Sequence, residues 1–415
     1  MWLEAMGRNQ TFVSKNKLTA NIGISRLRRL IKEDVGLIYT TVGGLGASVL
    51  GAFFWLILAS ILSVDNYGTV NFYIASANII AGIGIIGLNV TVTTYIAKGE
   101  HKLLQEANSI TLITGVVSAL VLSVFHWAAG LLSATLVFFT MAQAEMLGKK
   151  AYREYAFVLI GQRVTQITLS LLLYFQIGII GIILGYFIGT LFFSYKYFLS
   201  IRNFSLKINS LKEKRNFTIH SYGYNLIGQT LSNYIDKIII GAIFGYYTLG
   251  LYQLGFQFFM FLSIIPASLQ QYLLPEESSG NQRHKIKLLV LAFSIVASIA
   301  LFILSPYLIT NFFPTFTDAI PLVRLVSLSV IPSTIVAMLT ASFLGNEKSK
   351  VVFAAGLIYI TALISCIVVL GLVIGVLGLA IAIIIAKTIQ AAFLLTKRTT
   401  KNPGTQEAPH FNIHP

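Results

Sequence analysis

The stretch His220–Phe244, HSYGYNLIGQTLSNYIDKIIIGAIF, is long and apolar enough to cross a bilayer, yet it carries Asp236 and Lys237 side by side. A charge near the centre of a spanning helix costs roughly 2.5–3.5 kcal/mol on insertion scales, so such groups face a bundle interior or a wet cavity rather than lipid. Asn225, Gln229, Asn233 and Asp236 follow one another at steps of four, four and three. On an α-helix that spacing stacks them on one face, which is expected to line a cavity. Three further charges, Arg163, Arg324 and Lys387, fall inside other apolar runs. The interior sum is therefore four cations against one anion. Unrelieved, four buried cations would cost on the order of 10 kcal/mol, as much as the stability of a whole domain. A polyanion held among them would relieve that cost, since Arg and Lys are the usual partners of phosphate.

Each of these residues also has a structural reading. Arg163 has Gln166 and Ser170 on its own helix face, so it either lines a cavity or is a hydrogen-bonded structural arginine. Lys237 lies about 100° round the helix from Asp236, facing the cavity or pairing with a neighbouring helix. Arg324 is only about four residues inside its run and can snorkel to the outer interface. Lys387 is mid-run among small and β-branched residues. Asp236 is either the counter-ion that keeps a cation in place or a proton carrier. Gln253 and Gln257, one turn apart, face the cavity or pack between helices.

The elements that must hold these groups are helices. Of 415 residues, 56% are hydrophobic and 11% charged, where an average globular protein carries about 25% charged residues. An all-α integral membrane protein with no β structure follows. Twelve spans are expected, near 36–62, 69–97, 108–127, 129–147, 154–175, 177–199, 218–244, 249–274, 287–310, 320–344, 351–373 and 376–396, with Gly130 and Gly178 marking tight turns and Pro266 a local break. Glu145 and Glu154 are expected at water-accessible span ends.

The formal charge of +15 reflects topology. Apart from the four interior cations, every Lys and Arg lies before the first span, in every second connection, or after the last; the alternate connections carry only Asp65 and Asp318 as charges. This positive-inside pattern puts both termini in the cytoplasm and argues against nucleic acid as a partner. No cleavable signal peptide is apparent. Residues 1–35 instead read as a cytoplasmic segment, amphipathic around Ile24–Lys32, that lies on anionic lipid. Residues 202–217 form a polar linker between two six-helix halves, 36–201 and 218–396, and 397–415 a cytoplasmic tail. IGIIGIILG from Ile177 matches IGVLGLAIA from Ile374, and VDNYGTVNFY matches YYTLGLYQLG, in the same order in each half; a parallel pseudo-repeat about the bilayer normal follows.

No P-loop and no His/Glu metal spacing occurs, and Cys366 is a lone cysteine in an apolar run, so neither a cofactor, a bound metal nor an enzymatic reaction is expected.

The ILSVDNYG turn, NYIDKIIIGAIFGYYTLGLYQLG across spans seven and eight, and LTASFLGNEKSK closing span ten resemble polysaccharide transporters, the Wzx-type lipid-linked oligosaccharide flippases of the multidrug, oligosaccharidyl-lipid and polysaccharide exporter superfamily. The resemblance covers about 36–396. It implies two bundles that rock between inward- and outward-open states in a bacterial inner membrane. The implied cargo is an undecaprenyl-diphosphate-linked sugar repeat for O antigen or another surface polysaccharide, with a polymerase and a chain-length regulator as expected partners. Asp236 and Lys237 sit in the matching motif; Arg163, Arg324 and Lys387 rest on depth alone. A cation-coupled drug exporter of the same superfamily is the alternative, but such relatives typically carry a carboxylate in the first span, and 36–62 has none. A non-transporting scaffold for a polymerase would not need buried cations.

Overall fold

A backbone in hydrocarbon can satisfy its own polar groups only within a helix or a closed barrel, and the apolar runs form helices throughout. The structure is a computed structural model describing residues 35–201, 208–278 and 283–399. The expected amphipathic segment, the first part of the linker and the tail from 400 onward lie outside the described residues. The helices are α1 (Val35–Ile61), α2 (Val64–Ile85), α3 (Leu88–Ala97), α4 (Lys102–Ser123), α5 (Trp127–Gly148), α6 (Tyr152–Ile177), α7 (Ile179–Phe193), α8 (Tyr195–Ser200), α9 (Asn209–Glu213) and α10 (Arg215–Gly223). A π-helical stretch, Tyr224–Leu231, leads into α11 (Ser232–Ser278), α12 (His284–Phe312), a 3-10 turn (Pro314–Ala319), α13 (Ile320–Leu328), α14 (Val330–Gly345), α15 (Ser349–Ile374) and α16 (Val376–Thr399). No strand occurs among the described residues.

Among the described residues, ten helical stretches are long and apolar enough to cross a membrane, and Ile179–Phe193 is a shorter apolar helix. One of the ten, Arg215–Leu274, has 60 residues. At 1.5 Å per residue it would run about 90 Å if straight, against a hydrocarbon core of about 30 Å. It bends instead at Gly245 (φ 82°, ψ 171°), between the expected seventh and eighth spans.

Several local expectations are corrected. The expected span 69–97 is two helices, because Ile86 and Gly87 both take positive φ (52° and 72°) and end the hydrogen-bond ladder. Gly130 marks no turn; it lies in the first turn of α5, where a Cβ would come within 2.1 Å of Ser123 Oγ, so it serves close packing on α4. The helix runs unbroken through Pro266, Gly245 being its only non-helical residue. Glu145 is buried at 3% exposure, accepting from Ser200 Oγ at 2.7 Å and from Lys149 Nζ at 2.5 Å. Glu154, by contrast, is accessible at its helix end as expected, with a third of its side chain exposed, bonding Tyr195 and pairing with Lys196 at 2.9 Å.

The stretches matched between the halves take matching conformations. Gly178 (φ 69°, ψ −149°) and Gly375 (φ 70°, ψ −142°) end α6 and α15 in the same way. Lys150 and Glu347, at the same offset from those glycines, are left-handed at φ 58° and 60°. Where α2 crosses α11, a Cβ on Gly68 would lie 1.9 Å from the Tyr246 carbonyl oxygen and one on Gly250 2.0 Å from that of Val64. Both obstacles are backbone, which cannot swing aside. Gly68→Val is therefore expected to cost more than the roughly 1–3 kcal/mol of ordinary overpacking, read as a lowered melting temperature in detergent. Gly44→Ala, where a Cβ meets nothing within 4 Å, should cause no loss.

The described part of the linker is docked on the first half. Glu106 is buried and accepts the backbone N–H groups of Ser210 and Leu211 at 3.2 and 3.0 Å, capping α9 as an acidic side chain can cap a helix start. Lys214 pairs with Glu100 at 3.1 Å and lies over the Tyr95 ring at 4.8 Å. These contacts hold α10 against α3, where Thr91 donates to Thr218 at 3.1 Å, and so fix where α11 begins.

Candidate functional site

A cavity of about 330 Å³ opens where α1, α2, α6 and α7 meet α11. The first half contributes Arg163, Tyr186 and Asn78, the second Asn233, Lys237, Gln253 and Gln257. Among the described residues its lining contains two cations and no carboxylate.

Arg163 extends from α6 across the face of α1. Gly51 makes room for it: a Cβ there would meet Arg163 Nε at 3.5 Å and Cζ at 3.6 Å. Its Nη1 donates to Gln166 Oε1 at 2.8 Å, an oxygen shared with Gln162 Nε2 at 3.2 Å. The guanidinium carbon sits 6.0 Å from the Tyr186 ring centroid, within cation–π range. Nε is buried without a hydrogen-bond partner, and no carboxylate lies within 4.0 Å among the described residues. A guanidinium has five N–H donors in a planar fork; most of this one remains for a ligand.

Lys237 faces the same cavity from the other side but is not free. Its ammonium pairs with Asp236 at 3.2 Å, donates to the Asn233 carbonyl at 2.7 Å and sits 3.9 Å over the Phe256 ring. Asp236, 2% exposed, also accepts from Tyr252 Oη at 2.7 Å. The pair thus forms between chain neighbours, not with a neighbouring helix. Of the two, Lys237 is the member that lines the cavity. Gln257 donates to the Ala52 carbonyl at 3.4 Å, while Gln253 Oε1 is buried and unpartnered.

The remaining expected residues do not all converge here. Lys387 and Gln229 line a second cavity of about 500 Å³, formed by the second half alone and sharing Asn233, Phe256 and Met260 with the first. Arg324 lines neither: it packs with its guanidinium carbon 5.6 Å from the Phe302 ring and its Nε buried and unpartnered. Asn225 donates to Asn89 Oδ1 at 3.3 Å and is in neither cavity lining. The π-helical stretch explains this: Ser232 Oγ reaches back five residues to the Ile227 carbonyl, and the wider turn slips the register that an α-helix would have kept. Sequence reasoning missed Asn71 and Asn78, which line the first cavity from α2; their seven-residue spacing was the available signal.

Residues 135–288 match the family model Polysacc_synt_3, described as polysaccharide biosynthesis protein. No curated protein matches by sequence. Among solved structures the chain is similar to the lipid II flippase MurJ in an inward closed conformation, with TM-score 0.68 and 16% identity over 88% of each chain. It is also similar to an inward-facing multidrug resistance MATE family transporter of the MOP superfamily, with TM-score 0.67 and 14% identity over 88% of this chain and 97% of the other. A third likeness is a MOP superfamily transporter from Pyrococcus furiosus described as having a binding pocket of reverse polarity, with TM-score 0.57 and 12% identity over 88% and 94%. The family match is in keeping with the resemblance to polysaccharide transporters, and the solved structures share the fold.

Proposed function

We propose that the chain is a flippase that moves a polyprenyl-diphosphate-linked oligosaccharide from the cytoplasmic to the outer leaflet of a bacterial inner membrane, by alternating access, for O antigen or another surface polysaccharide. In this reading it crosses the membrane twelve times in two six-helix halves, with both termini cytoplasmic, and Arg163 and Lys237 hold the diphosphate from opposite halves. The observation that carries it is the cavity between the halves, lined by those two cations and by no carboxylate. A half-buried guanidinium near the middle of a span, with most of its donors unpartnered, is stabilised there by a polar or anionic ligand that completes it. Contacts to one diphosphate from α6 and α11 also give the ligand a differential hold on two conformations, which alternating access needs. The family match to polysaccharide biosynthesis proteins supports the sugar-linked cargo. A drug exporter for organic cations would place a positive cargo against Arg163.

The test uses the full chain in proteoliposomes with a fluorescent polyprenyl-diphosphate-linked sugar, scored by accessibility to an impermeant glycosidase. The protein should transfer the lipid between leaflets and should not accumulate an organic cation. The opposite pair of outcomes would return the reading to a drug exporter.

A further inference from the structure

We infer that the second cavity is a subsite for the sugar portion of the cargo, selective for a glycan bearing a carboxylate, with Lys387 as the residue that reads it; this rests on the flippase reading above. The two cavities share Asn233, Phe256 and Met260, so one ligand can occupy both. The second, at about 500 Å³ against 330 Å³, is the larger. Its wall mixes side-chain amides and hydroxyls, such as Gln229, Gln270 and Ser263, with the rings of Phe256, Phe353 and Tyr359. That combination suits a sugar, whose hydroxyls need donors and acceptors and whose C–H faces pack on aromatic rings.

Among the described residues Lys387 is the only Lys, Arg, Asp or Glu in that lining. Its ammonium sits 3.8 Å from the Tyr359 ring centroid and donates to Gln390 Oε1 at 3.3 Å, one bond for a group with three donors. Among the described residues it has no carboxylate within 4.0 Å. Lys237, by contrast, is ion-paired with its own neighbour. Lys387 is set on α16, in the wall formed by the second half alone, away from the Arg163 side of the first cavity. A hexuronic or other acidic sugar supplies the charge and the acceptors that this ammonium lacks.

The experiment compares two polyprenyl-diphosphate disaccharides that differ only in a terminal hexose or hexuronate, in proteoliposomes of the full chain. The natural sequence should move the acidic one faster. Lys387→Gln should lower the acidic-to-neutral rate ratio on the order of tenfold, the worth of one hydrogen bond to a charged group, and Lys387→Arg should keep most of it. A ratio unchanged by Lys387→Gln, or an equal loss on both glycans, would overturn the inference and assign the lysine to the shared diphosphate or to packing. Equal transport of both glycans by the natural sequence would sink the subsite alone, whatever the variants do. Transport of neither would remove the flippase reading and the subsite with it.

Discussion

Arg163→Gln is expected to slow transfer of a diphosphate-linked lipid on the order of a hundredfold, while the amount of protein in the membrane stays as it was. The size follows from losing two charge-assisted hydrogen bonds, each contributing roughly 1.5–3 kcal/mol. The unchanged abundance follows from the geometry. Arg163 is paired with no described carboxylate and bonds only Gln166, so neutralising it strands no buried charge, and glutamine can still bond Gln166. Arg163→Lys should recover part of the rate, because the charge returns without the planar fork. Leaflet transfer in proteoliposomes and immunoblots of membrane fractions give the two readouts. Transfer at the natural rate by Arg163→Gln would discard the diphosphate site.

Lys237→Met behaves differently, since it leaves Asp236 at 2% exposure with Tyr252 as its remaining hydrogen-bond partner among the described residues. Removing one member of a buried pair costs about 3–5 kcal/mol, whereas replacing both is often close to neutral. With that cost, the single variant is expected to melt well below the natural protein in detergent and to accumulate poorly. Asp236→Asn combined with Lys237→Met should regain most of that stability. Transport should not return with it if, as proposed, Lys237 holds the diphosphate from the second half. If the double variant regains both, Lys237 serves only to neutralise Asp236, and Arg163 alone carries the cavity's charge.

How legible the site was depended on the kind of signal each residue left in the chain. Arg163 and Lys237 stood out because ionisable groups in apolar runs are rare for an energetic reason, and Asn233, Gln253 and Gln257 followed them by helical spacing; all five line one cavity. Asn225 fell out because its placement assumed an α-helix through Tyr224–Leu231, where the chain takes a π-helical turn. Arg324 has the same composition-level signal as Arg163, yet one packs on Phe302 and the other enters the cavity. Depth in a span does not say which neighbour a side chain meets. Glu145 shows the same limit at a helix end, where Ser200, far along the chain, closes over it.

By itself, then, the sequence determined the quantities that are local or additive: helix where apolar runs exceed a bilayer's thickness, a turn at Gly178, which takes positive φ, and an interior carrying more cations than anions. Only the tertiary structure decided that Asp236 cancels Lys237, that Arg163 meets it across one cavity, and that Lys387 looks into another. The physical reason is that burial cost is paid residue by residue and can be read in one dimension, whereas its relief comes from partners brought near by helix crossings such as Gly68 on Tyr246. Those distances exist only once the helices have packed.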